Sequence, residues 1–135
     1  LELALTYAAH HGAQEIVILG ALGGRLDHTL ANLLLLALPE LVGCPVRIVD
    51  GAEQALLARG GEAAILEGNP GDLVSLLPLG GDVLVVTTLG LAWGLQGDTL
   101  HFGSTRGVSN EMTATVARIE VESGYLLVVH TALES

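Results

Sequence analysis

The chain has 135 residues, with 5 arginines, no lysine, 15 acidic residues and a formal net charge of −10. A field of that sign repels nucleic acid and anionic membranes and favours small cations. Half of the residues are hydrophobic and only 3% aromatic, which excludes disorder and calls for a core of Leu, Val, Ala and Ile. No apolar run reaches the roughly 18 residues of a membrane span, and Cys44, the only cysteine, allows no internal disulfide. A soluble protein of a reducing cytoplasm is expected.

Residues 1–11 predict an amphipathic helix closed by Gly12. Leu1-Glu2-Leu3-Ala4-Leu5 already reads as helix interior, so further chain is expected upstream. Glu15–Leu22 predicts a strand buried on both faces, as in a parallel sheet. Gly23-Gly24-Arg25-Leu26-Asp27-His28 follows as a glycine turn, and a helix is expected from His28 to Leu38, ended by Pro39. A strand-to-helix turn offers unpaired amides and a favourable dipole to an anion. Arg25 can grip an anionic oxygen, and Asp27 can hold a cation or orient a hydroxyl. Asp before a helix is equally a common cap, and Gly-Gly a common turn. The spacing matches neither a Walker A loop nor Gly-x-Gly-x-x-Gly. The residues alone leave both readings open, a ligand turn and a merely structural one.

Val46–Val49 predicts another strand, so helix, strand, helix and strand make the end of a doubly wound α/β layer. After Asp50 short apolar runs alternate with glycine turns. Strands are expected at 54–58, 63–66, 73–77, 83–88, 99–102, 113–121 and 125–130, with turns that include Gly80-Gly81 and Gln96-Gly97-Asp98. Turn signals at this spacing predict an antiparallel sandwich or barrel. In 113–121 the alternation puts Thr113, Thr115, Ala117, Ile119 and Val121 on one face. The expected boundary lies near residues 44–50, giving a partial α/β domain over 1–45 and a β-sandwich over 46–135.

Gly-Gly-Arg-x-Asp-His at 23–28, Thr87-Thr88-Leu89-Gly90-Leu91-Ala92-Trp93-Gly94-Leu95, Phe102-Gly103-Ser104, Gly107-Val108-Ser109-Asn110-Glu111 and the closing Gly124-Tyr125-Leu126-Leu127-Val128-Val129 occur in one order along the chain. Together they resemble the thiamine pyrophosphokinase family. The resemblance implies the C-terminal part of a doubly wound α/β catalytic domain followed by an antiparallel β-sandwich that binds thiamine, working as a homodimer. It implies transfer of pyrophosphate from ATP to thiamine, giving thiamine diphosphate and AMP, with Mg2+ bridging the phosphates.

By the same resemblance, Asp27 and Arg25 serve catalysis, Asp27 in the metal or hydroxyl environment and Arg25 on phosphate. Gly23, Gly24, Arg25 and His28 face ATP, and Asn32 lies one helical turn beyond His28. Trp93, Ser109 and Asn110 bind thiamine. An indole suits a thiazolium cation and a flat pyrimidine, although a lone Trp is often core packing and Ser-Asn often a turn. The family's upstream acidic motifs precede Leu1, so the 135 residues alone are expected to be weak or inactive catalytically. Two alternatives stand beside this: a non-catalytic β-module for thiamine binding or dimerisation, and a phosphate-binding α/β domain for another cationic ring.

Overall fold

Apolar spacing and Gly12 make the first element the expected helix, α1 (Glu2–His10), which buries Leu5 and stacks Tyr7 on His11. A computed structural model of the chain, in which residues 1–133 are described, divides it into two compact units, Leu1–Leu56 and the remainder from Leu57. Mostly sheet with few helices, it follows the order α1, β1 (Ile16–Leu19), α2 (Leu26–Leu34), two 3-10 turns (Leu35–Ala37, Pro39–Leu41), β2 (Val46–Asp50), β3 (Glu53–Ala58), β4 (Ala64–Glu67), β5 (Leu73–Leu89), β6 (Gln96–Leu100), β7 (Asn110–Glu111), β8 (Val116–Glu120) and β9 (Ser123–Thr131). Among the described residues no helix is long and apolar enough to cross a membrane.

In the first unit β1 and β2 are parallel, Ile16 opposite Val46 and Leu19 opposite Val49, and β3 returns antiparallel on β2. That pairing keeps residues 46–56 within the first unit. β1 is also less covered than expected: Ile18 is buried, but Val17 and Leu19 are exposed, Leu19 by 77%. An apolar run says that a strand can be buried on both faces, not that both are covered. The second helix starts two residues early, at Leu26, and runs out at Leu34 into a 3-10 turn before Pro39 and a second one that begins at it.

From Leu57 the structure is antiparallel. Residues 73–79 and Leu84 of β5 pair with β9, and its later part pairs with β6 and β8. The two strands expected at 73–77 and 83–88 are therefore one strand. Gly80-Gly81 supplies a bend rather than a reversal, and a bend of this kind lets one strand serve two sheets. The buried face changes phase along it: Val74 and Leu76, then Val83, then Val86 and Thr88. The last change comes where Leu84 and Val85 are both exposed and Val85 takes φ +56, the signature of a bulge.

The turn expected at 96–98 opens β6 instead. Gly97, at φ +68, is held by its N–H to Thr87 Oγ1 at 3.1 Å, while Asp98 Oδ2 accepts the Gln96 N–H at 2.9 Å. β8 is shorter than the 113–121 run: on the expected face Ala117 and Ile119 within it and Val121 just past it are buried, while Thr113 and Thr115 before it are exposed. Ala117 and Ile119 pair with Leu66 and Ala64 of β4, also buried.

One polar pair lies within this apolar packing. His130, opposite Val74 on the buried face of β9, places Nε2 at 2.8 Å from Asp72 Oδ2, and the two residues are only 4% and 2% exposed. Asp72 also accepts the N–H groups of Asn69 at 3.0 Å and Leu133 at 3.2 Å. The His130 hydrogen bond, ahead of those backbone bonds, holds the Asp72 carboxyl below its ordinary range against the opposing effect of burial.

Candidate functional site

The residues singled out above fall into two groups, one in each unit. Between β1 and α2, Gly23 and Gly24 take φ +86 and +73, a left-handed conformation that favours glycine. Three side chains tie this turn down. The Leu22 N–H donates to Asp50 Oδ2 at 3.2 Å, Thr29 Oγ1 donates to the Gly23 carbonyl at 2.9 Å, and Asn32 Nδ2 donates to the Ala21 carbonyl at 3.1 Å. Asn32 is thus a brace of the turn from within α2, and Asp50 and Thr29 are supports that local sequence reading misses.

Arg25, rather than Asp27, is the N-cap residue, and Asp27 sits in the first turn of α2. There its charge is favoured by the helix dipole. Arg25 Nε and Nη2 donate to Asp27 Oδ1 and Oδ2 at 3.1 and 2.6 Å, a bidentate fork, and Asp27 Oδ1 also accepts the His28 N–H at 2.9 Å. The two side chains are 70% and 63% exposed. A surface pair of this kind adds at most about 1 kcal/mol to stability. Its chemistry is instead a cationic fork and a carboxylate held side by side in the open at a helix N-terminus.

These donors do not by themselves make a resident magnesium site. Both oxygens of Asp27 face the Arg25 guanidinium, and among the described residues no three His, Cys, Asp or Glu side chains gather as a metal cluster. Mg2+ bound through one carboxylate needs substrate phosphates and water for its remaining positions.

In the second unit, Trp93 is 63% exposed, so it is not a core tryptophan. It lies in the loop after β5, which is fastened at both ends. Thr88, buried, exchanges two bonds with Leu95: Thr88 N–H to the Leu95 carbonyl and Leu95 N–H to Thr88 Oγ1, both 2.9 Å. Asn110, 5% exposed, accepts the Trp93 N–H through Oδ1 at 3.0 Å and donates from Nδ2 to the Trp93 carbonyl at 2.8 Å.

Ser109 is exposed, takes φ +63, and donates its N–H to Ser75 Oγ at 3.1 Å. The structure therefore brings Asn110 onto Trp93 through its amide, while Ser109, next to Asn110 in the chain, is tied to Ser75. Phe102, exposed, is positioned through its N–H on Asp82 Oδ1 at 2.8 Å. Asp82 Oδ2 lies 3.2 Å from His101 Nδ1. The Phe102 hydrogen bond, followed by that of His101, lowers the pKa of Asp82. Thr88 was within reach of sequence reading, since it stands in the Thr-Thr motif; Ser75 and Asp82 carry no such signal.

Comparison with known proteins agrees with this division. Residues 1–48 match the family model described as thiamin pyrophosphokinase, catalytic domain, and residues 64–126 match thiamin pyrophosphokinase, vitamin B1 binding domain. Among curated relatives, the thiamine pyrophosphokinase of Bacillus subtilis (strain 168) is 28% identical over 131 residues, 97% of this chain and 61% of that protein. Thiamine pyrophosphokinase 1 of Oryza sativa subsp. japonica is 31% identical over 110 residues, 80% of this chain and 41% of that protein.

Of solved structures, the thiamine pyrophosphokinase of Bacillus subtilis superposes with a TM-score of 0.87 at 25% identity, covering 98% of this chain and 62% of the other. That of Geobacillus thermodenitrificans gives 0.82 at 26%, covering 98% and 61%. The chain thus spans about three fifths or less of the curated relatives named here. With both of the family's domains matched in order and the same fold in its solved members, the chain belongs to the thiamine pyrophosphokinase family.

Proposed function

We propose that this chain carries the thiamine-binding module and the end of the catalytic domain of an enzyme that transfers pyrophosphate from ATP to thiamine, releasing AMP. The observation that carries the reading is Trp93: a solvent-facing indole on a loop fastened at both ends, within the segment matched to vitamin B1 binding. Thiamine brings a cationic thiazolium and a flat pyrimidine, and an exposed indole attracts both. The net charge of −10 favours such a cation further.

In this reading the first unit is the C-terminal part of a doubly wound α/β domain and the second an antiparallel β-sandwich. Arg25 binds an ATP phosphate oxygen with its guanidinium, the glycines at 23 and 24 let the backbone approach the nucleotide, and His28 adds a polar contact. Asp27 orients the thiamine hydroxyl or takes one coordination position of magnesium that arrives with ATP. Magnesium supplies charge neutralisation on the phosphates, and transfer of this kind depends on positioning and charge. Homodimer formation and a cytoplasmic setting travel with the reading; the single Cys44, buried with Sγ toward the Ala13 carbonyl, fits a reducing compartment.

Two outcomes test it. Trp93→Ala weakens thiamine binding by about 0.5–2 kcal/mol, the range of a cation–π contact, with an unchanged melting temperature because the side chain is exposed. Calorimetric titration of thiamine reads the first and thermal unfolding the second; unchanged affinity rejects the site. In a chain extended upstream, Asp27→Asn lowers AMP and thiamine diphosphate formation by about tenfold or more, which is about 1.4 kcal/mol or more on the barrier, while thiamine affinity stays as it was. The 135 residues alone form little product, and rapid turnover by them would refute the need for upstream carboxylates.

A further inference from the structure

We infer that Asn110 is a positioning residue, which sets Trp93 as a preformed platform for thiamine and does not itself contact the ligand; this rests on the reading of Trp93 given above. The amide of Asn110 is nearly buried while the indole that it serves is open. Its Oδ1 takes two donors, the N–H of Trp93 at 3.0 Å and the N–H of Glu111 at 2.9 Å, and its Nδ2 donates to the Trp93 carbonyl at 2.8 Å. The orientation of the amide is fixed by this set, since a flipped amide would turn its NH2 group on two N–H donors.

The reciprocal exchange with Trp93 is the one that two residues of an antiparallel ladder make through their backbones. It continues such a ladder. The Thr113 N–H donates to the Gly90 carbonyl, Leu91 bridges Met112, and the Ala92 N–H donates to the Glu111 carbonyl. The next rung cannot be made by backbone, because Asn110 in β7 already pairs with Val74 of β5 and Ser109 turns the chain away at φ +63. The side chain makes it instead. Asparagine alone among residues of this size and shape offers the donor and the acceptor that the rung requires: aspartate keeps the acceptor and loses the donor, and leucine has neither.

The functional consequence is preorganisation. With its backbone clamped, Trp93 has only its two side-chain torsions left to order when a ligand stacks on it. Without the clamp the loop must order as well, at the expense of affinity. Trp93 is the only tryptophan of the chain, so indole fluorescence reports on this residue alone.

The test compares the 135-residue wild type with Asn110→Ala and Asn110→Asp by time-resolved fluorescence anisotropy without ligand, and by thiamine titration followed through indole quenching. The proposal expects a new fast depolarising component in Asn110→Ala together with about three- to tenfold weaker thiamine binding, the scale of ordering a few side chains. Asn110→Asp, of the same shape and so suited to the case where Asn110→Ala does not fold, is expected to fall between the two in both readouts. Weakened binding with wild-type anisotropy would make Asn110 a direct ligand contact and overturn the proposal, as would a mobile indole with undiminished affinity. Absence of thiamine binding in the wild type would instead sink the reading of Trp93, and the ligand-free anisotropy would still decide whether Asn110 clamps it.

Discussion

Replacing Asp72 by alanine is expected to destabilise the second unit by about 1–3 kcal/mol or more, the cost of taking the acceptor from a buried hydrogen-bond donor. Asp72 Oδ2 can only accept, so His130 Nε2 at 2.8 Å must carry the proton. Loss of the carboxylate takes the acceptor from that buried imidazole N–H and from the part-buried N–H groups of Asn69 and Leu133. For a domain of this size the melting temperature should fall by about 4–8 °C for each kcal/mol lost.

Gly68 tests the same pair from the other side. A Cβ there would lie 2.5 Å from Asp72 Oδ2 and 2.8 Å from His130 Nε2, so Gly68→Ala must push the pair apart and should destabilise in the same direction. The pH dependence follows from the direction of the shift. The folded Asp72 carboxyl titrates below its ordinary value, so in acid the unfolded chain binds the proton first. The stabilisation is complete above about pH 4, the ordinary aspartate range, and is lost as pH falls through the lowered folded value. Chemical denaturation of wild type and Asp72→Asn across acidic pH should therefore show the gap between them closing in acid. A gap that is constant with pH would remove the charge of Asp72 from the stability of the fold.

That pair was invisible in the sequence for a physical reason. Asp72 and His130 stand 58 residues apart, and neither has a local pattern that marks it as buried. The bend of β5 was hidden differently: Gly80-Gly81 has the chemistry of a reversal and of a kink alike, and only pairing on both sides of it, to β9 and then to β6 and β8, tells them apart. By contrast the turn at 23–28 was legible, because two consecutive glycines between an apolar run and a helix leave few other conformations. Its internal assignment was not: the helix begins at Leu26, so the cap is Arg25, and Asp27 falls inside the first turn, paired with Arg25. The group around Trp93 was legible only through motif resemblance. Spacing alone could not reveal that Asn110 reaches across 17 residues to hold the backbone of Trp93.

Gly90→Ala should produce the largest loss of any single methyl added to the Trp93 loop. Gly90 takes φ +83, and a Cβ at that position would run into the Val116 carbonyl oxygen and sit 3.2 Å from Ala117 Cα. A left-handed non-glycine residue costs about 1–3 kcal/mol, and forcing a methyl into a filled space adds about 1–3 kcal/mol more. The obstructing atoms are the backbone of β8, which is paired on both sides, to β4 and to β5, and cannot move aside as a side chain could. Gly97→Ala separates the two contributions, since Gly97 has φ +68 but open space where its Cβ would be. The expected order of unfolding free energies is wild type, then Gly97→Ala, then Gly90→Ala. Gly90→Ala should also lose thiamine binding, because the carbonyl of Gly90 accepts the Thr113 N–H at 2.8 Å and so begins the ladder that Asn110 completes at Trp93. Equal losses for the two variants would mean that β8 yields to the methyl, and that the glycine of this motif is required for its backbone conformation alone.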